Sequence, residues 1–309
     1  MNARFLQHLS RRVCTLFVAL GAALVWNVSV AASLDAAAIG KAAGVEAKAQ
    51  ADGVVQIGWS RTDVPVTVDG MQLPPAAGLG SWAAIAPMPG GRAMVMGDTV
   101  VFEDEADAAM DAAFAHGLSV TALHNHFFFD QPKVFFMHIE GEGSPEELAT
   151  DVKAVWDAIK AVRAARPQPA DGFGGAMPRP GRLDAEALGK IVGHPAAMYD
   201  GVAKIVIGRK GSMHGRPIGA SMGLTTWAAF SGSDALAAMD GDFIMTAAEV
   251  QPVLHALRKA GIHVVALHNH MTGTQPDFYF THFWDKGKAT DLARGFRAAL
   301  DAQAAIGKH

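Results

Sequence analysis

The chain has 309 residues, a formal net charge of −4 and 18% charged residues. Its lysines and arginines form no cluster interleaved with aromatics, which argues against a nucleic-acid partner. The only cysteine is Cys14, so the rest of the chain can form neither an internal disulfide nor a thiolate metal site.

Residues 1–32 read as a cleaved signal peptide. Arg4, Arg11 and Arg12 precede an uncharged apolar run from Val13 to Trp26, and Val30-Ala31-Ala32 supplies the small-residue exit. The run is about 14 residues, too short to span a bilayer. Ser10-Arg11-Arg12 also resembles a twin-arginine signal, with Cys14 and Thr15 where that pattern carries Phe and Leu. The expectation is an exported, periplasmic protein with no stable membrane anchor. Cleavage would leave about 277 residues, enough for two packed cores.

The remainder is a tandem repeat. Ala122-Leu123-His124-Asn125-His126 returns as Ala266-Leu267-His268-Asn269-His270, and at the same offset Gly97-Asp98 falls on Gly241-Asp242, Glu105 on Glu249, Gly117 on Gly261, and Gln131-Pro132 on Gln275-Pro276. Trp82-Ala83-Ala84 matches Trp227-Ala228-Ala229 and Leu34-Asp35-Ala36 matches Leu183-Asp184-Ala185 after small indels. The division is therefore repeat unit 1 over 33–165, a Pro/Gly-rich linker over 166–182, and repeat unit 2 over 183–309.

In chain order, strands are expected at Val54–Trp59, Trp82–Ala86 and Ala93–Val101, followed by a helix from about Glu103 to His116 that closes on Gly117. Leu118–His126 and Val134–Glu140 read as an antiparallel strand pair. Ser144-Pro145-Glu146-Glu147 combines an N-cap, a proline at the first helical position and a capping-box glutamate. Leu148, Val152, Val155, Ile159 and Val162 then recur at helical spacing. In repeat 2, Ile205–Gly208 reads as a strand, and Thr246-Ala247-Ala248-Glu249 fits a capping box that competes with a helix start near Pro252. The fold class is α+β: two tandem repeats, each an antiparallel sheet with helices packed on one face, related by a pseudo-two-fold.

The side-chain period of a strand is two, so His124 and His126 should share one face with Asn125 on the other. His138 on the neighbouring strand would complete a triangle, and His268, His270 and His282 would repeat it. Three imidazoles from adjacent strands are ligands for a divalent transition metal with a position left for water, Zn first, with Cu, Fe, Mn and Ni as alternatives. Asp98 and Asp242 are the candidate catalytic residues, orienting an imidazole or acting as a base; the structural alternative is a turn at the end of a strand. Glu105 and Glu249 read as helix-start carboxylates, and Gln131 and Gln275 as ligand contacts or turn formers. Phe136 and Phe280 share strand parity with His138 and His282 and would wall a pocket. Met94 and Met96 are expected as core filling.

The string G-D-x6-E-x11-G-x4-A-L-H-N-H-x4-Q-P-x5-H resembles the exported bacterial family of unknown function typified by the mycobacterial LppY/LpqO lipoproteins. The resemblance covers nearly all of the chain beyond residue 32 and implies an exported location without an assigned activity. Those lipoproteins carry a cysteine at the cleavage point, whereas Cys14 lies too early to serve.

Three functions fit these residues. The first is a metal-dependent hydrolase acting on a small molecule; the second is a non-catalytic periplasmic metal-binding or buffering protein. The third is a metal-free histidine acid–base enzyme of the phosphoesterase kind. If only one triad works, the second is favoured, because Met271-Thr272-Gly273 obstructs less than Phe127-Phe128-Phe129.

Overall fold

The computed structural model describes residues 33–307, so the expected leader, with Cys14 and its arginines, lies outside the described residues. Repeat 1 contributes β1 (Ala47–Ala49), β2 (Val55–Ser60), β3 (Gly80–Pro87), β4 (Ala93–Phe102), β5 (Ser119–His124) and β6 (Val134–Gly143). Repeat 2 contributes β7 (Ala196–Tyr199), β8 (Val202–Gly208), β9 (Thr225–Gly232), β10 (Ala237–Met245), β11 (His263–His268) and β12 (Tyr279–Gly287). All join one 12-stranded antiparallel sheet in the order β1-β2-β3-β4-β6-β5-β11-β12-β10-β9-β8-β7. Each half lists its strands in the same sequence outward from the centre, which is the pseudo-two-fold. The seam between the halves is β5 against β11, with Leu123 paired to Leu267.

Six helices accompany these strands: α1 (Ala36–Ala43), α2 (Ala106–Ala115), α3 (Pro145–Ala165), α4 (Ala185–Val192), α5 (Ala247–Lys259) and α6 (Ala289–Ile306). Alternation along the strands explains why they gather on one face. Val95, Val101, Met137 and Ile139 pack with Val152, Val155, Trp156 and Ile159 of α3 in the main core. The intervening residues Val100, Phe102 and Phe136 point the other way, into a separate cluster with Val64, Val66, Leu73 and Leu79. In repeat 2 the corresponding small cluster is Leu224, Ile244, Phe278 and Phe280. Each lies under a three-stranded sheet, formed by Met71–Gln72, Thr67–Val68 and Asp130–Gln131 in repeat 1, and by Arg216–Ile218, Gly211–Met213 and Thr274–Gln275 in repeat 2.

Local signals account for most helix ends. Ser144 caps α3, accepting from the Glu147 backbone N–H at 3.4 Å, and Leu148, Val152, Val155 and Ile159 are buried as their spacing requires. In α5 the Thr246/Glu249 capping box forms and Pro252 lies inside the helix, so the alternative start near Pro252 is not taken. The α2 helix starts at Ala106, later than expected, because Glu105 turns back to accept from the Phe102 N–H at 2.9 Å. Its carboxylate also receives Arg61 at 2.7 and 2.9 Å. Repeat 2 has the corresponding pair, only part-buried, with Arg209 on Glu249 at 2.5 and 2.8 Å. Sequence reading left out α1 and α4; each has eight residues, too few for a periodic signal, yet Asp35 and Asp184 cap them. Residues 166–182 form neither helix nor strand, and Phe173 stacks on His263 with ring centroids 3.6 Å apart.

Gly97 and Gly241 sit where β4 and β10 press against their neighbours. A Cβ on Gly97 would lie 2.9 Å from the Trp82 carbonyl oxygen, and one on Gly241 would overlap the Phe283 ring and the Trp227 carbonyl. The glycine permits close packing on the helix side and sends the following aspartate to the other face.

Candidate metal centre

The open face of the sheet, opposite the helices, carries every histidine of the two motifs. In repeat 1 the strand register aligns Trp82 with Asp98, Asp98 with His138, and His138 with Ala122. Repeat 2 aligns Trp227 with Asp242, Asp242 with His282, and His282 with Ala266. The expected neighbouring of His124 with His138, and of His268 with His282, follows from this pairing. His126 and His270 are a correction: β5 ends at His124 and β11 at His268, so strand parity does not place the last histidine. Both turn in after the strand end, leaving ring centroids of 5.1 Å for His124–His126 and 5.1 Å for His268–His270.

A flat aromatic holds each turned-in ring. His126 stacks on Phe136 at 3.3 Å and His270 on Phe280 at 3.5 Å between centroids. Both phenylalanines are buried, so the floor beneath each ring is apolar. Phe128 and Phe129, by contrast, are 80% and 77% exposed. Met94 and Met96, expected in the core, are exposed on the open face because they share parity with Asp98. Gln131 and Gln275 are exposed strand residues that pair through their backbones in the small sheets.

Backbone carbonyls select the histidine tautomers. His268 Nδ1 lies 3.1 Å from the Asn269 carbonyl and His282 Nδ1 3.2 Å from the Gly241 carbonyl. A carbonyl can only accept, so each Nδ1 carries the proton and each Nε2 keeps a free lone pair. His124 Nδ1 makes the same contact with Asn125 at 3.3 Å. Among the described residues, His268, His270 and His282 are the set whose ligand nitrogens all lie within 4.8 Å of one another. In repeat 1, His138 Nε2 and His124 Nε2 are 3.1 Å apart. Two nitrogens on one tetrahedral zinc would be about 3.3 Å apart, given bonds of roughly 2.0–2.1 Å.

Asp98 and Asp242 lie inside strands β4 and β10, not at a strand end, so the turn alternative is not realised. Asp98 Oδ1 stands 3.9 Å from His138 Nε2, and Asp242 Oδ2 stands 3.4 Å from His270 Nε2. In both carboxylates Oδ1 is buried without a hydrogen-bond partner. Burial pushes the Asp242 carboxyl up to about 7. It also raises Asp98, against the pull of His138, His126 and His124. Burial, with the repulsion of His268 and His282 second, brings His270 down to about 4, so its imidazole is neutral near pH 7. Burial likewise lowers His282, opposed by the Gly241 carbonyl, and lowers His126, aided by His124. Beside the imidazoles stands a buried carboxylate oxygen without a hydrogen-bond partner, and imidazole with carboxylate suits a divalent cation.

Sequence reading missed Trp82 and Trp227 as neighbours of the aspartates. Their alignment between repeats was visible; that they continue the Asp–His row depended on strand pairing. Arg61 and Arg209 were missed because no local pattern links an arginine at the end of a strand to a helix some forty residues on.

A family model described as Domain of Unknown Function (DUF1259) matches residues 37–158 and again residues 186–302. The chain belongs to this family. The two matches coincide with the two halves of the sheet, so one copy of the domain is one structural repeat. No curated protein matches the sequence. Among solved structures, EtuB from Clostridium kluyveri is similar at 11% identity over 84% of this chain and 91% of that one, with a TM-score of 0.21. The trimeric bacterial microcompartment shell protein PduB is similar at 10% identity over 84% and 92%, with a TM-score of 0.19. EutL from Clostridium perfringens is similar at 13% identity over 71% and 83%, with a TM-score of 0.19. Scores this low carry no argument about architecture or activity.

Proposed function

We propose that this is an exported metal-dependent hydrolase in which His268, His270 and His282 hold one divalent transition ion, zinc first, and His124, His126 and His138 hold another. The observation that carries the reading is the preset tautomer: two Nε2 lone pairs in the second triad are held free by backbone carbonyls, with the third imidazole neutral beside them. A divalent ion held there would supply Lewis acidity and activate water for hydrolysis. The chain's own contribution is to orient the rings, through Asn269, Gly241 and Phe280, and to keep an aspartate oxygen within reach of a proton released at the site. The basic and apolar pattern of residues 1–32 and the resemblance to the exported LppY/LpqO lipoproteins support the periplasmic location.

The test is elemental mass spectrometry on protein purified without chelator or affinity metal, beside a His268→Ala/His270→Ala variant, with circular dichroism to confirm folding. One or two equivalents of a single transition metal, reduced in the variant, support the reading. Ester and phosphoester turnover lost on chelation and restored by zinc supports hydrolysis, whereas stable metal without turnover favours metal buffering. A folded protein that binds no metal sinks both and leaves histidine acid–base chemistry.

A further inference from the structure

We infer that the two triads act on one ligand, a linear molecule with an oxyanion group at each end. The inference rests on the metal reading above and concerns how the two centres are arranged. Leu123 pairs with Leu267 across the seam. Continuing that antiparallel register by one residue on either side sets His124 opposite Ala266 and Ala122 opposite His268. Ala122 is also the partner of His138, and Ala266 the partner of His282. Two cross-strand rows result, His138–Ala122–His268 and His124–Ala266–His282, and each places one alanine between a histidine of one repeat and a histidine of the other.

Strand spacing sets the scale. Histidines two strands apart in a row are about 10 Å apart at Cα, and the diagonal pair His124 and His268 is about 7–8 Å apart. The two centres are therefore on the order of 10 Å apart, on one face, with no helix over them. In the two rows the residues between them are Ala122 and Ala266. A longer side chain at either alanine would stand between the centres; alanine leaves the space to a ligand. A three-histidine set would leave each ion a position for an oxygen donor, so a dicarboxylate whose ends reach both ions would gain from the second contact without a second loss of translational freedom.

The probes are acetate and the straight-chain dicarboxylates from malonate to suberate, titrated by calorimetry into zinc-loaded full-length protein whose zinc content is measured first. The expected result is two zinc ions per chain, one dicarboxylate per chain, and an affinity that peaks at one chain length at least tenfold above acetate. Ala122→Phe/Ala266→Phe should abolish the peak while keeping both zinc ions. His282→Ala, which removes a ligand from one centre, should bring every dicarboxylate to the level of acetate even if the phenylalanine variant does not fold. Two zinc ions with dicarboxylates no tighter than acetate, or with two bound per chain, would overturn the composite site and leave the metal reading standing. Absence of zinc would overturn both.

Discussion

Leu123 and Leu267 face each other across the seam as the one residue pair that joins β5 to β11 in register. Both are 1% exposed and both belong to the main core, and the histidines of the two repeats lie one position further on.

Truncation at that contact should be costly. Leu123→Ala and Leu267→Ala are each expected to lose about 2–5 kcal/mol in urea unfolding, as buried leucines do when a cavity is left behind. Because the side chains share one site, the double variant should cost measurably less than the sum. Strict additivity would show that the seam is not a shared packing unit.

The arginine–glutamate pairs are the next sensitive point. Arg61 and Glu105 have fully buried side chains, whereas Arg209 is 28% exposed in its pair with Glu249. Arg61→Met should destabilise by about 3 kcal/mol, the low end for stranding a buried charge, because Arg163 still reaches Glu105 at 2.6 Å. Arg209→Met should cost less. Equal losses in denaturant titrations would contradict the burial argument.

Acid sensitivity has a definite sign at Glu249. Burial raises its carboxyl, but the Arg209 hydrogen bonds, the Thr246 N–H and Gln303 outweigh it and hold the group below its usual 4.5. A carboxylate depressed in the folded state stabilises above its unfolded value, and that contribution disappears as pH falls through the folded value. The stability gap between the native chain and Glu249→Gln should therefore be full at pH 7 and close progressively below about pH 4.5. A gap that does not change between pH 7 and pH 3 would remove this account.

Gly241 gives a steric test. Gly241→Ala forces a methyl against the Phe283 ring and the Trp227 carbonyl, while Gly97→Ala meets the Trp82 carbonyl at 2.9 Å. The first should cost about 1–3 kcal/mol or more and displace Asp242; the second should be milder. Thermal melts of the two variants decide the order.

The stacked phenylalanine offers a test of the metal site that spares its ligands. Phe280→Leu keeps an apolar residue beneath His270 but removes the flat surface that orients the ring. Zinc affinity, measured by competition with a chromophoric chelator, should fall about tenfold, the scale seen when the support behind a ligand is lost. Unchanged affinity would mean that the stack does no orienting.

Sequence alone determined the repeat, the α+β class, the cap of α3, and the shared face of His124 with His138, because each rests on local chemistry: period-two alternation, capping side chains and a self-similar string. It could not determine where His126 and His270 lie, since parity ends with the strand and a buried phenylalanine then sets the ring. Nor could it show that Asp98 and Asp242 carry unsatisfied buried oxygens, because desolvation comes from neighbours distant in the chain. The tertiary structure alone decided that β5 meets β11 and so that the triads are neighbours. That register rests on packing between two strands from different repeats, and nothing in either strand's own pattern names its partner.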